Sequence, residues 1–268
     1  MAARRARPGG GRHLAGHPLS ASPRPAHGPV IPGLLITALL LGGVVLLHPA
    51  DEVARVRELF GLGDDRLREI PEYAVGEGSF AFAETQPGSD DPVGYSPCRP
   101  IPYVVNPDGA PEEWEPLIHD AVEATSRASG LEFSYEGESD ARPASYDEGF
   151  LANDPPPVLV AWATPEEVPA LKGDVIGLGG SAAYEPRPGL RQYATGVLTL
   201  DRDQFDVRDW IPGAREPLEA VVLHELGHLV GLGHVDDPGE LMHPTNTRTS
   251  YGPGDLEGLA RLGDTPCR

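Results

Sequence analysis

Residues 221–237 read VVLHELGHLVGLGHVDD. Three histidines, His224, His228 and His234, interrupt an otherwise apolar run, and Glu225 follows the first of them. Pro217–Leu232 has the composition of a buried helix. On a helix, His224 and His228 stand one turn apart on the same face. Two imidazoles at that spacing bind one metal ion, and zinc is the usual partner of nitrogen ligands. Glu225 projects beside the pair, where its carboxylate reaches a water on the metal without being a ligand. Gly231 tolerates the left-handed backbone that ends helices. A turn there returns His234 to the same ion from a loop, and Gly233 adds freedom to the approach. Three nitrogen ligands leave the fourth tetrahedral position to water, which is the catalytic rather than the closed structural arrangement. A purely structural helix gains nothing from three buried imidazoles, each of which needs a hydrogen-bond partner. The pattern HExxHxxGxxH fixes five positions, and at this composition chance supplies it on the order of once in ten thousand chains.

Working outward, the elements around this helix alternate in type. Ile101–Val105 is a short apolar strand closed by Asn106-Pro107-Asp108-Gly109. Pro111 opens a helix that runs to about Ser129, with Trp114, Leu117, Ile118, Ala121, Val122 and Thr125 on one face and Gly130 ending it. Leu131–Tyr135 alternates as a strand, and the polar, proline-rich 137–156 is a surface loop. Val158–Ala163 is apolar at every position, as in a strand covered on both faces. Val175–Tyr184 is strand-like but rich in glycine, which places it at an edge where another backbone approaches. Val197–Leu200, with Thr195 and Thr199, is a further strand, and a final helix follows Gly252-Pro253-Gly254 with Leu256, Leu259, Ala260 and Leu262 inward. The expected fold class is α+β: a twisted mixed sheet of about five strands with an active-site helix and a C-terminal helix.

The chain has 268 residues and a formal net charge of -20. Residues 1–48 hold five arginines and no acid, so 16 basic and 41 acidic side chains fall in the remainder. A surface that acidic argues against nucleic acid as a partner. Residues 1–29, rich in Gly, Pro, Arg and Ala, read as a disordered cytoplasmic tail. Residues 30–47, VIPGLLITALLLGGVVLL, carry no charge and are near the lower limit for a membrane-spanning helix. The arginines before them orient the N-terminus to the cytoplasm and the remainder outward, so 30–48 is expected to be a signal anchor. The competing reading is a cleaved signal peptide and a secreted product, but His48-Pro49-Ala50 lacks the small residue three before a cut. Residues 49–97 read as a stalk or short pro-segment, within which 51–72 places Val53, Val56, Leu59 and Phe60 at helical spacing. The domain proper is expected over 98–268. Cys98 and Cys267 bracket it, and that placement favours one disulfide in an oxidising compartment over two unrelated free thiols.

His224–His234 resembles the long zinc signature of the metzincin metallopeptidases. That clan also places a methionine in a tight turn beneath the metal. Met242, in Glu240-Leu241-Met242-His243-Pro244, is the methionine here besides Met1. The short spacer after His234 and the closing Gly254-Asp255-Leu256 are most similar to the matrixin branch, over residues 98–268. The resemblance implies a metzincin-like catalytic domain with one catalytic Zn2+. It departs in two places: no propeptide cysteine-switch motif is present, and the histidine-bearing loop for a second zinc is missing between 164 and 200. His119 and His243 therefore read as ordinary helix and loop residues. The calcium sites of the family are left unassigned, with Asp201, Asp203, Asp236 and Asp237 as candidates that read equally as solvated acids.

The expected activity is hydrolysis of peptide bonds at the cell surface, with Glu225 as general base. A protein or peptide substrate is expected to lie extended along 177–182, at Gly179, Gly180, Ser181 and Ala182, pairing with the edge strand. Two other readings share this centre: a catalytically weak zinc-containing surface binding module, and a hydrolase of cell-wall peptides. Retention of Glu225 argues against the first, since a structural site has no use for an unliganded base. Only the cleft distinguishes the second.

Overall fold

The computed structural model describes residues 66–146, 155–209, 213, 215–245 and 248–267. The tail at 1–29, the apolar run at 30–47 and the helical spacing at 53–60 lie outside the described residues. Among the described residues, no helix is long and apolar enough to cross a membrane.

In chain order the elements are β1 (Ala81–Phe82), β2 (Ile101–Asn106), α1 (Trp114–Ser129), β3 (Phe133–Glu138), β4 (Val158–Ala163), β5 (Gly177–Arg187), β6 (Leu190–Asp201), α2 (Arg202–Asp209), α3 (Arg215–Val230), β7 (Leu232–Gly233) and α4 (Pro253–Gly263). Five strands form one mixed sheet in the order β3-β2-β4-β6-β5, and β1 pairs separately with β7. Strands β2, β3, β4 and β6 are mutually parallel, while β5 runs antiparallel to β6 and forms one edge. The α+β class and the five-stranded mixed sheet expected from the sequence are both present.

The order follows from burial. All six residues of β4 are buried, and this strand occupies the middle of the sheet. Val158, Val160 and Trp162 face the main core with residues of α1 and α3, while Leu159, Ala161 and Ala163 face the other side, which the short 3-10 turns Pro143–Ser145 and Pro169–Leu171 help to cover. Helix α1 buries the expected stripe from Trp114 to Thr125 and ends at Gly130, whose φ of 72° suits a residue without a Cβ. Helix α3 is buried on most of its circumference, packed between β5 and α1. A helix apolar on nearly all sides belongs inside a protein.

Three features differ from the sequence expectation. Strands β5 and β6 are one long hairpin, turning at Pro188-Gly189 with Gly189 at φ 79°. The polar residues at its far end conceal it from a hydrophobic pattern. Helix α2, RDQFDVRD, is anchored by the buried Phe205 and was not expected. The described part of the presumed stalk, 66–97, lies against the domain: Val93 is fully buried in the core cluster, Arg66 Nη2 donates to Asp264 Oδ1 at 3.1 Å, and β1 pairs with β7. The folded unit therefore includes residues well upstream of Cys98. Cys98 and Cys267 form a disulfide, with Cα atoms 5.5 Å apart.

Candidate metal centre

Helix α3 carries His224, Glu225 and His228, all within its last two turns. Gly231, at φ 125°, stops the helix, and its N–H reaches back to the carbonyls of Gly227 (3.2 Å) and His228 (3.1 Å). A side chain at Gly231 would also meet Leu262 and the Val93 carbonyl at about 3 Å, so both space and conformation require glycine. The chain then enters β7 and delivers His234.

The three rings converge. His234 Nε2 lies 3.1 Å from His224 Nε2 and 3.0 Å from His228 Nε2. Nitrogen ligands at about 2.0–2.1 Å from a tetrahedral ion stand roughly 3.3 Å apart; the two spacings to His234 are close to that, and all three ligand atoms lie within 4.8 Å of one another. The tautomers also fit. His224 Nδ1 donates to Leu241 O at 2.7 Å and His228 Nδ1 donates to Leu232 O at 2.9 Å. A carbonyl only accepts, so each Nδ1 carries the proton and each neutral ring presents an Nε2 lone pair. Both lone pairs face Nε2 of His234, which has at most one proton to offer. At least one lone pair is therefore left against another, and a divalent cation resolves that conflict. Among the described residues, this trio is the group of His, Cys, Asp and Glu placed to hold a metal.

Electrostatics favour the same state. Burial pushes the His224 pKa down to about 4, against the Leu241 hydrogen bond, with the other two rings adding to the fall. Burial likewise lowers His228 and His234. The rings stay neutral and available to a metal at ordinary pH.

Glu225 is 7 % exposed and lies against β5. A Cβ on Gly177 would stand 2.6 Å from Glu225 Cγ, and one on Gly179 would stand 2.1 Å from Glu225 O. The strand thus meets the helix backbone at Gly179 and makes room for the Glu225 side chain at Gly177. Burial raises the Glu225 pKa to about 7, and the Gly179 N–H, donating to the carboxylate, opposes that rise.

The other expected site residues fall as follows. Gly179 faces α3, so its close neighbour is the helix. Gly180 is exposed, with nothing within 4 Å of a Cβ built on it. Ser181 Oγ donates to Leu229 O at 2.7 Å and is 2.6 Å from Tyr95 Oη, which ties the strand to α3. Ala182 pairs with Thr195 in the hairpin. Met242 is 1 % exposed and lies under Gly227, between the two helix histidines. The four calcium candidates do not form one cluster. Asp201 accepts Gln204 N–H at 3.0 Å and Asp237 accepts Gly239 N–H at 2.9 Å, while Asp203 and Asp236 are exposed. His119 sits among Tyr103, Trp114 and Tyr135, and His243 Nδ1 accepts Thr245 N–H at 3.1 Å.

Sequence reasoning missed two supporting acids. Asp255, fully buried, accepts N–H groups of Leu241 (2.6 Å), Gly252 (2.9 Å) and Met242 (3.4 Å). It holds the segment whose Leu241 carbonyl orients His224. Glu240 accepts N–H groups of Gly254 and Asp255, each at 3.0 Å, and of Ser79 at 3.3 Å. The available signal was an acid in the first turn after Gly252-Pro253, where a carboxylate returns to the free amides of a helix start.

Residues 161–259 match the family model of the matrixins. Matrilysin of Felis catus is 36% identical over 95 residues, covering 32% of this chain and 33% of that protein. A putative matrix metalloproteinase of Trichoplusia ni ascovirus 2c is 29% identical over 97 residues, covering 34% of this chain and 19% of that one. The matched region thus spans about a third of one relative and a fifth of the other. Among solved structures, archaemetzincin of Methanopyrus kandleri aligns with a TM-score of 0.39 at 16% identity, covering 60% of this chain and 93% of that chain, too slight a likeness to bear weight. From the end of β4 through most of α4, the chain is similar to the matrixins.

Proposed function

We propose that this protein is a zinc-dependent endopeptidase of the cell surface. His224, His228 and His234 would hold the ion through Nε2. Zinc bound there supplies Lewis acidity, which lowers the pKa of water and polarises a scissile carbonyl. Glu225 handles the proton: its carboxylate takes one from the attacking water and returns it to the leaving nitrogen. Its elevated pKa suits a group that must accept and then donate near neutrality. A peptide substrate pairs with the free edge of β5, where Gly180 leaves the approach open.

The observation that carries this reading is the commitment of both helix histidines, through Nδ1, to backbone carbonyls while an unliganded carboxylate lies buried beside them. A structural tripod needs no such neighbour. The test is Glu225→Gln: zinc content is expected to match the wild type while cleavage of a peptide library falls to background. Near-normal turnover in that variant would refute the assignment.

The location belongs to the same proposal. The uncharged 30–47 run would anchor the chain with its catalytic part outside. N-terminal sequencing of the natural product checks it, and a mature start near Asp51 would show a secreted enzyme instead.

A further inference from the structure

His224 and His228 are carried by a buried helix, but His234 is exposed and follows a strand of two residues. Its position depends on whatever holds the chain on either side of it. On the near side, Ala81 pairs with Gly233, Phe82 pairs with Leu232, and Ala83 N–H donates to Gly231 O at 2.8 Å. On the far side, Ser79 N–H donates to Glu240 Oε1 at 3.3 Å and Ser79 Oγ to Asp237 Oδ2 at 3.4 Å. Both attachments come from one short upstream stretch.

That stretch is itself fastened to α4. Gly76 N–H donates to Glu257 Oε2 at 2.7 Å. The Arg261 guanidinium lies 5.1 Å from the centre of the Phe80 ring. Gly258 lets Phe80 in, since a Cβ there would be 3.0 Å from the Phe80 Cβ. A two-residue ladder is marginal alone, so these anchors on α4 give it persistence.

We infer that residues 76–83 are a clamp that positions the third metal ligand, so that metal affinity depends on a segment upstream of the matrixin-like region. The inference rests on reading His234 as a ligand. Residues 76–83 supply no member of the histidine trio and act through their contacts with 231–240. Outer partners of metal ligands commonly contribute about 10–100-fold to affinity, and that is the effect expected here.

The test uses the full chain with its disulfide intact. Co2+ is titrated against a competing chelator and its visible absorption recorded. Ala83→Pro removes the N–H that reaches Gly231 O, and Phe80→Ala loosens the anchor on α4 without altering the backbone. Val75→Pro is the control, because Val75 precedes Gly76 at φ 75° in a turn that accepts proline. The first two variants are expected to bind Co2+ about 10–100-fold more weakly, with an altered absorption band, and the control to match the wild type. Wild-type affinity and spectrum in a folded Ala83→Pro or Phe80→Ala protein would overturn the clamp and leave the metal reading standing. Should neither variant fold, amide hydrogen exchange on the wild type decides: metal must slow exchange at 81–83 together with 231–234, and unchanged exchange at 81–83 overturns the clamp. A wild type that binds no Co2+ overturns the metal reading, and the clamp with it.

Discussion

The sulfur of Met242 lies where a side chain on Gly227 would begin: a Cβ built there stands 2.5 Å from Sδ. Glycine in a helix interior costs about 1 kcal/mol relative to alanine, so its presence directly before His228, between the two helix histidines of the candidate site, needs a reason. The methionine supplies it. The turn bearing Met242 also presents the Leu241 carbonyl to His224.

Gly227→Ala tests this packing. Forcing an atom into a filled interior costs about 1–3 kcal/mol, which outweighs the gain of about 1 kcal/mol in helix propensity. A net loss of roughly 1 kcal/mol is expected from the midpoint of urea unfolding, with weaker zinc binding as Leu241 shifts. A more stable variant would show that the sulfur is not held in place.

Gly179 and Gly180 are adjacent but should respond differently. A Cβ at Gly179 meets the Glu225 backbone, which has no freedom to yield, whereas a Cβ at Gly180 meets nothing within 4 Å. Gly179→Ala should displace the base and reduce turnover on the order of 100-fold with zinc retained. Gly180→Ala should leave kcat and bound zinc near the wild type, with any loss confined to KM. Parallel measurement of kcat and bound zinc distinguishes them, and equal behaviour would remove Gly179 from its role.

Stability should carry a signature of Asp255. Burial raises its pKa to about 6, against three backbone N–H groups and with Glu240 adding to the rise. For a carboxyl raised above its unfolded value near 3.8, the favourable contribution is complete below that value. It is lost as pH rises through about 6. The Tm of Asp255→Asn relative to the wild type should therefore climb between pH 4 and pH 6–7. A flat difference across that window would mean that the three amides already compensate the buried charge.

The disulfide closes a loop with a sequence separation of 169. Chain-entropy reasoning gives about 5 kcal/mol for a loop of that length, as an upper figure. Replacing Cys98 and Cys267 together with serine should lower the urea midpoint markedly. A change under about 1 kcal/mol would show that the unfolded chain is already restrained.

The convergence of the three imidazoles was legible because its pattern is local: His224, Glu225, His228, Gly231 and His234 occupy fixed intervals on one helix and one turn. Val158–Ala163 was legible because only a central strand is apolar throughout. Features set by distant partners were not. Ala81-Phe82 has no period of its own and becomes a strand only against Leu232-Gly233. Gly177 and Gly179 read as openings for a substrate, yet Gly179 admits the backbone of α3 and Gly177 the side chain of Glu225. Glu240 and Asp255 look like surface acids until the loop they hold is folded over them.

The pairing of Ala81 with Gly233 also governs when the protein becomes competent during synthesis. The two partners are separated by about 150 residues, so the ladder must await translation of nearly the whole domain and bear a large loop-closure cost. A nascent chain that has just completed its zinc signature still lacks the neighbour that aligns its last imidazole until that neighbour, made much earlier, is brought back. The alignment of the third imidazole is thereby left to the final stage of folding.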